Sequence, residues 1–198
     1  WVSTGWYALN AIFLAEGLRG LFSLNIDPLC FATVLAVLMA FNNFFGFKGV
    51  ANFAGYLAAP VLVIWVLFVF CKASMSCPSS ALIEAARVPP AHALTVVSSF
   101  VLGIACWGNE ADYWRYGKPK WSASVLPLVI SLLLGQILFP ITGWMMGRLF
   151  GVTDYAAATK LMNDYAFGGI SLISAAVLII SYVAVNDAGL YGAINAAQ

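Results

Sequence analysis

Residues 172–197 read LISAAVLIISYVAVNDAGLYGAINAA: an apolar run up to Val185, then Asn186, Asp187 and Gly189. A helix crossing a bilayer needs about 20 mainly apolar residues, and a polar group at that depth is costly unless it is paired or functional. The run therefore predicts a membrane helix that carries two polar side chains well inside the bilayer. Five further stretches have the same character, so the expected spans are roughly 1–18, 28–46, 51–71, 93–113, 124–148 and 168–186. The connections carry Arg19-Gly20 with Asn25 to Pro28, Phe47 to Gly49, Met75 to Pro90, Arg115 to Trp121, and Gly151 to Gly168. With no polar insert, residues 1–198 form one all-α integral membrane domain.

Composition agrees. Of 198 residues, 63% are hydrophobic and only 9% are charged, too few charges to coat a water-facing surface. Nine Lys and Arg stand against eight Asp and Glu without any run of like charge, which leaves no basic footprint and excludes a nucleic-acid partner. The remaining partner at this level is the lipid bilayer. Cys30, Cys71, Cys77 and Cys106 are scattered, form no CxxC pair and have one histidine, His92, for company. No metal set follows, and the expectation is that the thiols pack as small buried side chains. A membrane-embedded enzyme needs a nucleophile with its base, or a metal set, and this pattern supplies neither. Trp1 to Leu18 has no basic flank and no small-residue cleavage site, so no secretory signal is expected there. The chain starts inside an apolar run and stops on Ala196, Ala197 and Gln198, the pattern expected of a piece of a longer protein.

Two spans are interrupted. The 93–113 stretch holds Gly103 and Gly108 and ends in Asn109, Glu110 and Asp112; the 168–186 stretch meets Asn186, Asp187 and Gly189. Both are expected to be broken helices, and interrupted hydrophobic segments are the best sequence pointer to a transporter's binding site. Lys48, Arg115, Lys118 and Lys120 concentrate in two short loops, which favours that side as cytoplasmic.

Four segments carry a resemblance: GWYALN at Gly5–Asn10, LMAFNNFFGFKGVANFAGYLAAPVL from Leu38, SFVLGIACWGNEADYWRYGK from Ser99, and VNDAGLY at Val185–Tyr191. In this order they resemble the third, the fourth and fifth, the sixth and the eighth helices of the nucleobase–cation symporter-1 family, which includes cytosine, purine, allantoin and hydantoin permeases. The most specific is the sixth-helix pattern that begins Ser99-Phe100 and ends Asp112-Tyr113-Trp114-Arg115-Tyr116. The resemblance implies the LeuT-like inverted-repeat transporter fold, with helices three to eight of twelve in this chain, and a plasma (inner) membrane location. It implies alternating-access import of a small flat heterocycle, with no cofactor beyond a coupling ion. A passive channel or a structural subunit is the competing class, marked by flux that ignores an ion gradient or by no flux.

A flat ring with alternating donors and acceptors needs an aromatic face and a few amides. Trp6 and Asn10, four residues apart, share a helix face. The resemblance assigns Trp6 to stacking on the ring and Asn10 to its edge; the alternatives are a belt tryptophan and a helix-packing amide. On the sixth helix, aligning from Ser99-Phe100 selects Phe100, whereas aligning back from Asp112 selects Gly103 and leaves Trp107 as a further candidate; ordinary packing stays open for both aromatics. Asn186 matches the family's eighth-helix amide beside the substrate, with an interhelical hydrogen bond as the alternative, and Ser181 falls where some members carry another polar contact. Sodium-coupled members carry hydroxyls at the two positions before that amide, where this chain has Ala184 and Val185. Neither side chain offers an oxygen, so the expected coupling ion is a proton rather than sodium, with Asp187, Glu16 and Glu110 as candidate carriers.

Overall fold

The computed structural model describes residues 2–76, 94, 95, 97, 98, 117, 118, 120–152 and 154–197. Among them the regular structure is all helical: α1 (Val2–Phe22), α2 (Pro28–Met39), α3 (Gly46–Asn52), α4 (Ala59–Ser76), α5 (Trp121–Leu132), α6 (Phe139–Phe150), α7 (Tyr155–Phe167) and α8 (Ser171–Ala197). A 3-10 turn (Ala40–Phe45) extends α2, and π segments at Phe53–Ala58 and Leu133–Leu138 join α3 to α4 and α5 to α6.

Three helical stretches are long and apolar enough to cross a membrane: Pro28–Ser76, Trp121–Phe150 and Ser171–Ile194. The first, at 49 residues, contains both expected spans 28–46 and 51–71. At about 1.5 Å per residue its length far exceeds one hydrocarbon core of about 30 Å. The regular helix is interrupted at Gly46, whose φ of +63° favours glycine, one residue before the expected connection at Phe47 to Gly49. Helix α1 forms where the first span is expected, although Asn10, Glu16 and Arg19 leave it outside the set of three. The expected span 93–113 lies outside the described residues, apart from isolated positions. Outward-facing Leu29, Val37, Leu38, Ile64 and Leu172 are exposed, which suits lipid rather than water and suggests a membrane protein.

Each π segment has a local cause. Pro60 and Pro140 lack an N–H, and their rings press on the carbonyls of Tyr56 and Gln136, four residues back. Both carbonyls lie inside π segments, where the wider turn accommodates them. Gly55 and Gly135 stand five residues before the two prolines.

Packing divides into two apolar clusters. In one, Ala11, Leu14, Ala15, Leu18 and Leu21 line a single face of α1 at helical spacing and meet Ala32 and Met39 of α2 and Ala175 of α8. In the other, Val69 and Ala73 of α4 meet Met145 and Met146 of α6 and Ala166 of α7. Asp27 caps α2, accepting the Cys30 N–H at 2.8 Å, and that hydrogen bond holds its carboxyl below the usual carboxylate range.

The structure departs from the sequence reading in three places. Helix α7 occupies a segment read as a plain connection; Asp154 caps its start, Gly168 (φ +59°) ends it, and it packs on α1 and α8. Helix α8 runs unbroken through Asn186, Asp187 and Gly189, where a broken helix is expected, because the polar side chains find partners on neighbouring helices and its backbone ladder is left intact. Cys30 and Cys71 are exposed rather than buried, since they sit on the outward sides of α2 and α4; Cys77 and Cys106 lie outside the described residues.

Close approach of α1 to α7 depends on Gly20. A methyl group there would sit 2.5 Å from the carbonyl oxygen and 2.9 Å from the Cα of Ala156, both backbone atoms that cannot swing away. Gly20→Ala is expected to push α7 off α1 and to cost about 1–3 kcal/mol of stability, as overpacking does. A thermal-unfolding series on detergent-solubilised protein checks this, and an unchanged midpoint would contradict the packing described.

Candidate functional site

Polar side chains between α1, the α2 extension and α8 form two hydrogen-bonded sets that meet at the neighbouring residues Asn186 and Asp187. Asn186 and Asp187 are each 1% exposed, although they belong to a helix built mainly from apolar residues. Asn10 Nδ2 donates to Asn186 Oδ1 at 2.9 Å, across α1 and α8. Asn186 Nδ2 turns the other way, towards the backbone carbonyl of Tyr7 at 3.3 Å and the Met39 sulfur at 3.4 Å. Both ends of the Asn186 amide are thus occupied, while Asn10 keeps its own carbonyl oxygen for another donor. Tyr7 O–H donates to the Ala36 carbonyl and joins α1 to α2.

One residue on, Asp187 faces the 3-10 turn. Asn42 Nδ2 donates to its Oδ2 at 2.5 Å and Asn43 Nδ2 to its Oδ1 at 2.9 Å. No lysine or arginine forms an ion pair with this carboxylate among the described residues. Two neutral amides therefore do the work usually left to a counter-ion inside a protein.

The expected site residues separate into groups. Asn10 and Asn186 come together, with Asp187 adjoining them. Trp6 lies one turn before Asn10 and is 61% exposed, an open aromatic face at the edge of the group. Ser181 lies elsewhere: it lines a cavity of about 280 Å³ with Leu62 and Trp65 of α4, Phe139 of α6, and Tyr155 of α7. Glu16 is bound to Arg19 at 2.9 Å, in a turn of α1 beyond Asn10, and does not join the group. Phe100, Gly103, Trp107 and Glu110 lie outside the described residues. Ala184 and Val185 sit within the continuous helix, where their side chains bring no oxygen.

Sequence reading missed Asn42, Asn43, Tyr7 and Met39. The signal for the first two was present, since adjacent amides inside an apolar run are as unusual as Asn186-Asp187. Their partner lies 145 and 144 residues away, and single-sequence spacing does not reveal such a pairing. A second polar group joins α7 to α8: buried Asn163 accepts from Ser174 at 2.7 Å and donates to Ser171 at 3.3 Å. Near it, Lys72 of α4 donates to the Tyr165 carbonyl and lies 4.4 Å from the centre of its ring.

No family model, curated protein or solved structure matches this chain.

Replacing Asn186 by leucine, which has similar volume and no polar atom, strands the Asn10 amide. The expected loss is about 1–3 kcal/mol in unfolding stability, whereas Trp6→Ala, at an exposed position, leaves the unfolding midpoint within error. Equal effects of the two substitutions in a thermal-shift measurement would contradict the assigned geometry.

Proposed function

We propose that this chain belongs to a secondary active transporter of the nucleobase–cation symporter-1 type, which imports a nucleobase-like heterocycle across the plasma (inner) membrane. Alternating access would operate around the Asn10–Asn186 group, driven by protons, with no covalent chemistry. The observation that carries the reading is the bond between half-buried Asn10 and buried Asn186 across α1 and α8. It joins the two amides that the resemblance assigns to one substrate site, and it leaves the Asn10 carbonyl free to accept from a ring N–H. Asn186 then acts by holding Asn10 in place, and Trp6, exposed one turn away, supplies the stacking face.

Proton coupling is supported by Asp187, a buried carboxylate without an ion-pair partner among the described residues, which adjoins Asn186 directly. A carboxylate in that position changes charge with a single proton. Sodium needs about six oxygens, by analogy with other hard cations, and Ala184 and Val185 contribute none from their side chains. The Glu16–Arg19 pair is satisfied within one turn of α1, which makes Glu16 a weaker carrier than Asp187. The LeuT-like arrangement and the six spans belong to the same proposal and rest on the order of the four matching segments.

The test is uptake of labelled cytosine and of labelled hydantoin into proteoliposomes holding the full-length protein, with pH and sodium gradients imposed separately. Uptake is expected to follow the pH gradient. Saturable sodium stimulation at constant pH, without a response to protons, would overturn the coupling assignment, and flux insensitive to both gradients would mark a passive channel. In equilibrium binding, Trp6→Ala is expected to weaken the heterocycle more than about tenfold, since stacking is worth about 1–3 kcal/mol per base. Unchanged affinity would remove Trp6 from the site.

A further inference from the structure

We infer that Asn43 is the positioning residue that reads the protonation state of Asp187 and relays it to the chain break at Gly46. The inference rests on the proton-coupled reading above and adds a residue and a regulation to it. Three observations carry it. First, each Asp187 oxygen takes one amide N–H, from Asn42 at 2.5 Å and from Asn43 at 2.9 Å, which suits the ionised carboxylate because it accepts only. Second, Asn43 Oδ1 is buried with no hydrogen-bond donor among the described residues. An idle buried carbonyl beside a carboxylate is a cost in the ionised state and an available acceptor in the protonated one. Third, Asn42 and Asn43 belong to the 3-10 turn Ala40–Phe45, which ends where Gly46 takes up its left-handed conformation.

The proton balance is simple. When one proton arrives at Asp187 Oδ1, the carboxyl O–H needs an acceptor, and the Asn43 N–H facing it becomes a donor facing a donor. Rotation of the Asn43 amide by half a turn about its terminal bond exchanges nitrogen for oxygen. The lost N–H···O bond is then replaced by an O–H···O bond, while Asn42 continues to donate to Oδ2. The displaced Asn43 N–H groups must find carbonyls of their own, and those nearest in sequence belong to the 3-10 turn. Protonation thereby unsettles the turn and the Gly46 break, at which α2, packed on α1, passes into α3.

Among the described residues, the ionisable groups of the neighbouring elements leave Asp187 to this pair. From α1, Tyr7 faces it electrostatically, with its hydroxyl committed to Ala36. Lys48 of α3 and Tyr56 of the π segment are exposed, Glu16 is paired with Arg19, and Lys72 of α4 is engaged with Tyr165. On α7, Tyr155 is bonded to Tyr182 of α8 at 2.6 Å.

The experiment is an infrared difference titration of the full-length protein in liposomes, with Asp187→Asn identifying the carboxyl band. Asn43→Leu removes a charge-assisted donor to the carboxylate and is expected to raise the midpoint of that band by about one pH unit or more. Asn43→Ser, smaller and still able to donate and accept, is expected to raise it less. A purely structural Asn43 would lower thermal stability in both variants without moving the titration. An unchanged midpoint in both, or in Asn43→Ser alone where Asn43→Leu does not fold, overturns the inference. So does a midpoint moved by sodium at fixed pH, because the group would then be a cation site. An Asn43-dependent titration without pH-driven heterocycle uptake keeps the inference and removes the transport reading; pH-driven uptake with an unmoved midpoint does the reverse.

Discussion

Burial of the Asn186 amide and the Asp187 carboxylate inside an apolar bundle is the constraint on which the arrangement of α1, α2 and α8 depends. Each of these groups would cost several kcal/mol if left without a partner in a medium that cannot hydrogen-bond. Asn186 meets that demand through Asn10, Tyr7 and Met39, and Asp187 through Asn42 and Asn43. The register of α8 against the other two helices is therefore set at a polar level and reinforced by the apolar face from Ala11 to Leu21. Sliding α8 by one residue would place Val185 opposite Asn10, or Ala188 opposite Asn42 and Asn43, and so break one of the two sets.

The same constraint explains why α8 stays helical. A broken helix at depth frees backbone groups that then require partners, whereas side chains that reach neighbouring helices satisfy themselves without disturbing the ladder. Among the described residues the chain spends its irregularity elsewhere, at Gly46 and in the two π segments ahead of Pro60 and Pro140. The break at Gly46 and the polar level meet at the 3-10 turn, so the least regular point of the long 28–76 stretch is also the point held by Asp187.

Much of the architecture was legible in the sequence, because hydrophobic runs near 20 residues report membrane helices directly. The starts of α5 and α8 followed within a few residues, at 121 against 124 and 171 against 168, whereas α8 runs on to Ala197, well past the expected end at 186. Helix α7 was not legible in that way: it is short and amphipathic, and its Asp154 and Gly168 caps read equally well as loop punctuation. The π segments were hidden because a proline in an apolar helix signals a kink without specifying its kind. Asn10, Asn186 and Asp187 stood out as polar residues in apolar surroundings, yet their joining is a tertiary fact. Asn42 and Asn43 fell inside the expected span 28–46, and only the fold shows them closing on a carboxylate 145 and 144 residues away.

A double-mutant cycle between Asn10 and Asn186 reaches the central interaction most directly. With Asn10→Ala, Asn186→Ala and the double variant compared by unfolding of the full-length protein in bilayer-mimicking micelles, a coupling free energy of about 0.6–1.7 kcal/mol is expected, the range of interhelical hydrogen bonds in membranes. Additive losses, with no coupling beyond error, would contradict the polar junction between α1 and α8.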